Sequence, residues 1–185
     1  LFPYTTLFRS LACNRVEGLW DEYFLLLMRR YDDLGLPYPF DMTFSFIGNP
    51  IISGNALIAR KAGSEETIGA LGFVFGTGED QYTDESVCQI EAVYVEPGWR
   101  QTKAAVWLLM EFVALLKNRQ PPVERIQFWA PADRPDLNRL FSKFSDCIRT
   151  NEKSFGRISL YETTLERLAA YADRFRPLTM RTVGD

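Results

Sequence analysis

The chain has 185 residues, three cysteines, no histidine and a formal net charge of −3; its length suits one domain, and 46% hydrophobic beside 24% charged residues excludes a disordered chain. The absence of histidine removes Ser-His-Asp and Cys-His hydrolases and histidine-ligated metal sites, leaving acid–base chemistry to Glu, Asp, Tyr, Lys, Cys or water. No apolar run approaches the ~20 residues of a bilayer span and a mildly acidic chain suits duplex nucleic acid poorly, so a soluble, cytoplasmic protein with no membrane and no nucleic-acid partner is expected.

The first ten residues, LFPYTTLFRS, resemble a translated sequencing adapter and are set apart from the fold like a tag. On that reading the domain runs over 11–176, a native first strand is lost or mimicked by the segment, and 177–185 is a frayed tail. Apolar positions recurring at three and four from Val16 to Leu34 predict an amphipathic helix stopped by Gly35. Pro37 and Pro39 break the chain, Phe40 to Asn49 reads as a short second helix, and a loop follows to Gly54. Ala56–Lys61 and Thr67–Gly76 read as strands joined by a Gly-Ser turn. The polar stretch Gly76–Glu85 is a hairpin loop, and Val87–Val95 is a strand ended by Glu96, Pro97 and Gly98.

Thr102–Asn118 is helical and apolar nearly all round, which predicts burial between layers. After Pro121 and Pro122, Arg125–Ala130 reads as a strand. Asp136–Phe144 is a short helix with Leu137, Leu140, Phe141 and Phe144 on one side, and Asp133-Arg134-Pro135-Asp136 reads as its cap. Cys147–Thr150 and Arg157–Glu162 form a final strand pair. Thr163, with Glu166 three residues on, has the spacing of a capping box for a last helix to about Phe175. The order gives an α/β fold with a mixed sheet and one strand–helix–strand crossover. Cys13, Cys88 and Cys147 stand alone, without a CxxC pair or ligand cluster, which reads as three reduced, buried thiols and no metal site.

Chemistry concentrates in Gln89–Leu109, QIEAVYVEPGWRQTKAAVWLL. A strand ends at a proline, and a short polar, cationic loop leads straight into the long helix. Such a junction gathers unpaired backbone N–H groups at the positive end of a helix dipole. Arg100 and Lys103 add charge suited to a diphosphate, and the small pair Ala104 and Ala105 lets a ligand approach the backbone. The plainer alternative is a strand–helix turn that carries a cation and binds nothing. The loop acids Glu79, Asp80, Asp84 and Glu85 read as a solvated turn, with steering of a cationic amine as the functional alternative.

VYVEPGWRQTKAAVWLL resembles the acetyl-coenzyme A motif of GNAT-type N-acetyltransferases: a hydrophobic strand, V-x-P, then Arg/Gln-x-x-Gly-x-Gly/Ala and a helix with paired leucines. Val95, Pro97, Arg100, Ala105, Leu108 and Leu109 fall on that pattern, and the order of elements agrees from Val16 to about Thr163. The resemblance implies a GNAT-like central sheet flanked by helices. It also implies acetyl-CoA as co-substrate, contacted by Val93, Val95, Arg100, Gln101, Thr102, Lys103, Ala104 and Ala105. The partner would be an amine-bearing acceptor, a small molecule or a protein, and a homodimer is compatible with it. Glu91, four residues before Val95, stands where relatives carry a Glu that takes the amine's proton; a structural partner for an arginine or an amide is its other role. Strict alternation puts Glu91, Val93 and Val95 on one face, and Ile90, Ala92 and Tyr94 on the other. Water, Tyr94 or Tyr161 would protonate the departing thiolate.

Four positions depart from the pattern. Lys103 replaces the first loop glycine, Phe141 the tyrosine that usually protonates the thiolate, Arg134 an asparagine, and Ser145 a glycine. Phe141 carries no proton to give. These departures leave a second reading beside acetyl transfer: a non-catalytic module of the same fold, of the kind virus-borne relatives provide, retaining at most CoA binding.

Overall fold

The alternating apolar stretches of the middle of the chain assemble into one seven-stranded sheet, seen in a computed structural model that describes residues 8–13, 18–36, 38–100 and 103–175. The strands are β1 Phe8–Ala12, β2 Ala56–Lys61, β3 Thr67–Phe75, β4 Val87–Val95, β5 Arg125–Pro131, β6 Asp146–Lys153 and β7 Gly156–Thr164. They lie in the order β1-β2-β3-β4-β5-β7-β6. Every neighbouring pair is antiparallel except β4 and β5, which the crossover helix makes parallel. The helices are α1 Leu19–Arg29, α2 Phe40–Ser53, α3 Lys103–Lys117, α4 Pro135–Phe141 and α5 Leu165–Asp173.

Period-two alternation sends the two sets of strand side chains to two separate cores. Ala56, Ile58, Ala70, Ala92 and Tyr94 meet Leu19, Tyr23 and Leu27 of α1 and Ile47 of α2. Leu57, Ala59, Leu71, Phe73 and Cys88 meet Leu108, Phe112 and Leu116 of α3 and Leu168 of α5. The α1 layer is also tied to the sheet by charge. Arg60, almost wholly buried on β2, donates from Nε to Glu22 at 3.0 Å, and the Thr67 hydroxyl donates to the same carboxylate at 2.6 Å. Burial alone would push the Glu22 carboxyl up, but these bonds and the Arg60 charge outweigh it and hold it below its ordinary value.

Several expectations are corrected. The first helix yields to a 3-10 turn at Tyr31–Leu34 before Gly35, which sits at φ 62. The second helix does not stop at Asn49. It runs through Pro50 to Ser53 and closes on Gly54 at φ 74, because Pro50 is buried with Thr43 and Ile47 on the sheet-facing side and that packing offsets the lost backbone bond. Helix α3 buries one face only: Ala104, Leu108, Phe112 and Leu116 are buried, whereas Ala114 and Lys117 face solvent. The last helix is capped by Thr164, whose hydroxyl accepts from the Arg167 N–H at 3.1 Å, not by Thr163. Thr163 instead turns inward and donates to the Phe144 carbonyl at 2.5 Å. Asp133 and Asp136 do not cap α4, since Arg134 occupies its N-cap without a side-chain bond. Asp136 is held by Arg134 at 2.7 Å and Asp133 by Arg157 at 3.2 Å. Cys13 and Cys88 are buried as expected, but Cys147 is exposed on the edge strand β6.

The adapter-like segment contributes Phe8, Arg9 and Ser10 to β1, paired with Lys61, Arg60 and Ala59 of β2. Its first seven residues, Val16, Pro37 and the tail 177–185 lie outside the described residues. Among the described residues no helix is long and apolar enough to cross a membrane.

One close approach locks α1 onto the sheet. A Cβ at Gly72 of β3 would overlap the Tyr23 hydroxyl and come within 2.8 Å of Pro50 Cγ. Gly72→Ala is therefore expected to cost about 2–3 kcal/mol through overpacking, with Tyr23→Phe restoring part of the loss. Tyr23→Phe alone should be neutral or slightly stabilising, because that hydroxyl is buried without a protein hydrogen-bond partner. Denaturant unfolding of the two single variants and the double variant checks this.

Candidate functional site

Strands β4 and β5 pair over only four positions, Val87↔Arg125 to Ile90↔Phe128, and then part. Beyond the fork β5 keeps its bonds to β7 as far as Pro131↔Ile158, while β4 stays with β3 as far as Val95↔Gly69. The parting begins at an irregularity in β4. Gly72 pairs with Ala92 and Phe73 with Ile90, so Glu91 has no partner opposite. Such a bulge adds a residue, bends the strand and increases its twist. It also breaks the strict alternation expected for this strand. Glu91 falls on the α2 side with Gln89, Ala92 and Tyr94, and not with Val93 and Val95.

A cavity of about 320 Å³ fills the fork. It is lined by Val93 and Val95 of β4, Ala105 and Leu109 at the start of α3, and Trp129 and Ala130 of β5, and it meets solvent at the exposed Val93. Leu34, Gly35 and Leu36, between α1 and α2, close one end, and Phe141 of α4 stands against Phe128 with ring centroids 4.8 Å apart. The lining is apolar except for a few groups, of which Glu91 is the one ionisable side chain among the described residues.

Glu91 is 6% exposed. Gln89 Nε2 donates to one carboxylate oxygen at 2.5 Å and Asn49 Nδ2 to the other at 3.4 Å. Burial pushes its pKa up to about 7, and the two amide bonds restrain the rise. Around it stand the hydroxyls of Tyr23, Tyr38 and Tyr82, all pushed up by burial and by the Glu91 charge. Asn49 joins this group a second time, 3.5 Å from the Tyr82 hydroxyl. The Tyr38 ring packs on Phe46 at 4.8 Å and on Phe155, in the β6–β7 turn, at 5.6 Å. A carboxyl that titrates near neutrality in a cavity wall can hold or release a proton at working pH.

The other residues singled out from the sequence divide. Val93, Val95 and Ala105 line the cavity. Arg100 stands beside its mouth, where Nε donates to the Val95 carbonyl at 2.8 Å and the guanidinium lies 5.3 Å from the Tyr94 ring centre. Ala104 is buried in the α3 core and does not line the cavity. Lys103 is the first residue of α3, where a glycine was expected. Gln101, Thr102 and the Lys103 side chain lie outside the described residues. Tyr94 is not brought to the cavity. It is buried against α1, and its hydroxyl donates to Glu96 at 3.4 Å, beside the Arg30–Glu96 pair. Tyr161 stacks on Phe128 at 5.4 Å behind the cavity wall, its hydroxyl donating to Asn138 at 2.8 Å.

The loop acids are occupied structurally. Asp80 accepts the N–H groups of Thr77 and Tyr82 at 3.0 Å, Asp84 pairs with Arg125, Glu85 with Arg119 and Glu79 with Arg149. The two amides that hold Glu91 were not anticipated. Gln89 was within reach, being two residues before Glu91 on a strand, whereas nothing local marks Asn49, which arrives from α2.

No known family model matches the chain, and no curated protein does. Solved structures do share the fold. Arabidopsis thaliana NAA60, in complex with a bisubstrate analogue, is 17% identical, with 85% of this chain and 97% of that one aligned at a TM-score of 0.58. An N-acetyltransferase from Staphylococcus aureus is 14% identical over 85% and 98%, at 0.60. The aminoglycoside N(6′)-acetyltransferase of Legionella pneumophila is 12% identical over 91% and 98%, also at 0.60. The fold is thus the mixed α/β fold of GNAT-type acetyltransferases.

The Glu91 shift has a consequence for stability. Its folded carboxyl is held above the ordinary 4.5, at about 7, so the fold keeps a proton that the unfolded chain releases. This contribution is present below pH 4.5 and is lost as pH rises through 7. Glu91→Gln cannot ionise and escapes the loss. At pH 8 it should be more stable than the parent by on the order of 2–3 kcal/mol, with the difference shrinking to near zero by pH 4. Unfolding curves across that range measure it.

Proposed function

We propose that the chain is an N-acyltransferase that moves an acetyl group from acetyl-CoA to an amine by direct attack. The observation that carries this reading is a buried carboxyl at the bulge where two parallel strands part, over an apolar cavity that opens at the start of a helix. Beyond Ile90 the β5-facing edge of β4 has no strand partner among the described residues, and it suits the amides of a pantetheine arm. The diphosphate belongs at the start of α3, where helix N–H groups gather and Arg100 and Lys103 bring charge. Ala105 keeps the approach open.

In this reading Glu91 takes a proton from the acceptor ammonium. The free amine attacks the thioester carbonyl, backbone N–H groups near Val93 receive the oxyanion, the C–S bond breaks, and the thiolate leaves. Phe141 has no proton to give and Tyr94 is turned away, so water protonates the thiolate. The fold's solved examples include a protein named for transfer to an aminoglycoside, and the acceptor class here is an amine on a small molecule or a protein.

A second reading, a CoA-binding module without catalysis, is favoured by Phe141 itself. Its ring lies in a cluster with Phe128, Phe144 and Tyr161, an arrangement that serves packing without any proton transfer.

Two measurements separate these readings. Acetyl-CoA at 100 times its dissociation constant should stabilise the protein by ~2.7 kcal/mol, and Ala105→Glu should abolish the shift; no shift at millimolar acetyl-CoA overturns both. Acetyl transfer across an amine panel should then rise with pH through about 7, the value to which Glu91 is pushed. Glu91→Gln should lower the rate by ~10²–10⁴-fold while leaving acetyl-CoA binding in place. Binding without transfer to any amine leaves the module.

A further inference from the structure

The cavity in the fork does not end at the height of Glu91. It continues past the last β4–β5 pair, on the α3–α5 side of the sheet, to a floor made by Leu71, Leu108, Ile126, Phe144, Thr163 and Leu168. Five of these are aliphatic or aromatic. The sixth, Thr163, has its hydroxyl engaged, donating to the Phe144 carbonyl at 2.5 Å. The floor therefore offers no free side-chain donor to a ligand, and the Thr163 oxygen is its one polar side-chain atom. It suits neither the amides of a pantetheine arm nor the ammonium of an acceptor, and what it accommodates without leaving a buried polar group unpaired is hydrocarbon.

The two faces of the sheet decide which reactant that hydrocarbon belongs to. Glu91, which meets the amine, lies on the α2 side through its bonds to Gln89 and Asn49. The floor lies on the opposite side, among residues of the α3–α5 core. An acceptor reaching Glu91 comes from the first side, so a chain that enters the floor hangs from the donor's carbonyl. Phe141 fits the same picture. Its ring lines the cavity and stands edge-on to Phe128, so the route from fork to floor is apolar where a hydroxyl was expected.

Resting on the acyltransferase reading, we propose that the donor site extends beyond the acetyl group and also takes CoA thioesters of longer acyl chain, the tail held in the pocket of Leu71, Ile126 and Leu168. The bonds exchanged are those of acetyl transfer: the amide C–N bond forms, the C–S bond breaks, and the thiolate takes its proton from water. Only the substituent on the carbonyl differs.

Isothermal titration of the full chain with CoA and with acetyl-, butyryl-, hexanoyl- and octanoyl-CoA tests this. Affinity should climb by about fourfold per added methylene, the worth of one buried CH₂, until the floor is full. Leu168→Phe, which fills the floor, should flatten the series, whereas the volume-conserving Leu168→Met should keep it. If Leu168→Phe fails to fold, the series on the unaltered chain still decides. Acetyl-CoA binding as tightly as, or more tightly than, every longer thioester overturns the proposal and leaves the acyltransferase reading standing. Failure of CoA and all its thioesters to bind overturns both.

Discussion

One extra residue in β4 organises the molecule. Glu91 has no partner on β3, so the strand bends there, and the bend is where β4 leaves β5. A sheet that stayed paired would bury the Val93–Val95 backbone and close the space between Ala105 and Ala130. The fork instead exposes a strand edge that would ordinarily be a liability, open to solvent at Val93 and flanked by residues of α3, α4 and the Leu34–Leu36 segment. The same residue that opens the space supplies the one ionisable group in its wall among the described residues. Burying a carboxyl there disfavours its charge, and the structure accommodates it with two amide donors in place of a cation, which keeps titration near neutrality.

The surroundings hold that arrangement from three directions. The Arg60–Glu22 pair fixes α1 on β2, Pro50 and Ile47 seat α2 behind the bulge, and Phe155 brings the β6–β7 turn onto Tyr38. None of these groups touches the mouth of the cavity, yet each fixes an element that supplies or flanks the Glu91 wall. The ion pair between Glu79 and Arg149 joins the β3–β4 loop to β6 in the same manner. Of the loop acids, Asp84, Glu85 and Glu79 are paired with arginines, while Asp80 holds its loop through backbone amides.

Most of the fold was legible because its strands follow the two-residue period and its helices the three-to-four spacing: β2, β4 and the crossover helix fall within a residue or two of expectation. Misreadings cluster where tertiary packing outweighs a local signal. Pro50 breaks an isolated helix but not one pressed onto β3, and Thr163 has the spacing of a cap while its hydroxyl is drawn inward to Phe144. Glu91, Val93, Val95 and Ala105 were legible as a group, because a strand, a short loop and a helix lie together in sequence. The facing of Glu91 was not, since a bulge leaves no mark in composition. Asn49 and the cavity floor were invisible for a simpler reason: their neighbours in space are far away along the chain.

The close approach of Tyr23 to Gly72 has a meaning for descent. Gly72 pairs with Ala92, the residue after the bulge, and any side chain at Gly72 displaces the tyrosine that backs the Glu91 wall. Gly72 is therefore not free to drift first: Tyr23 can lose its hydroxyl alone, but a larger residue in β3 is tolerated only in a lineage where α1 has already yielded. The dependence runs one way, and relatives that keep the fork should carry a larger residue at position 72 only where position 23 has already become smaller.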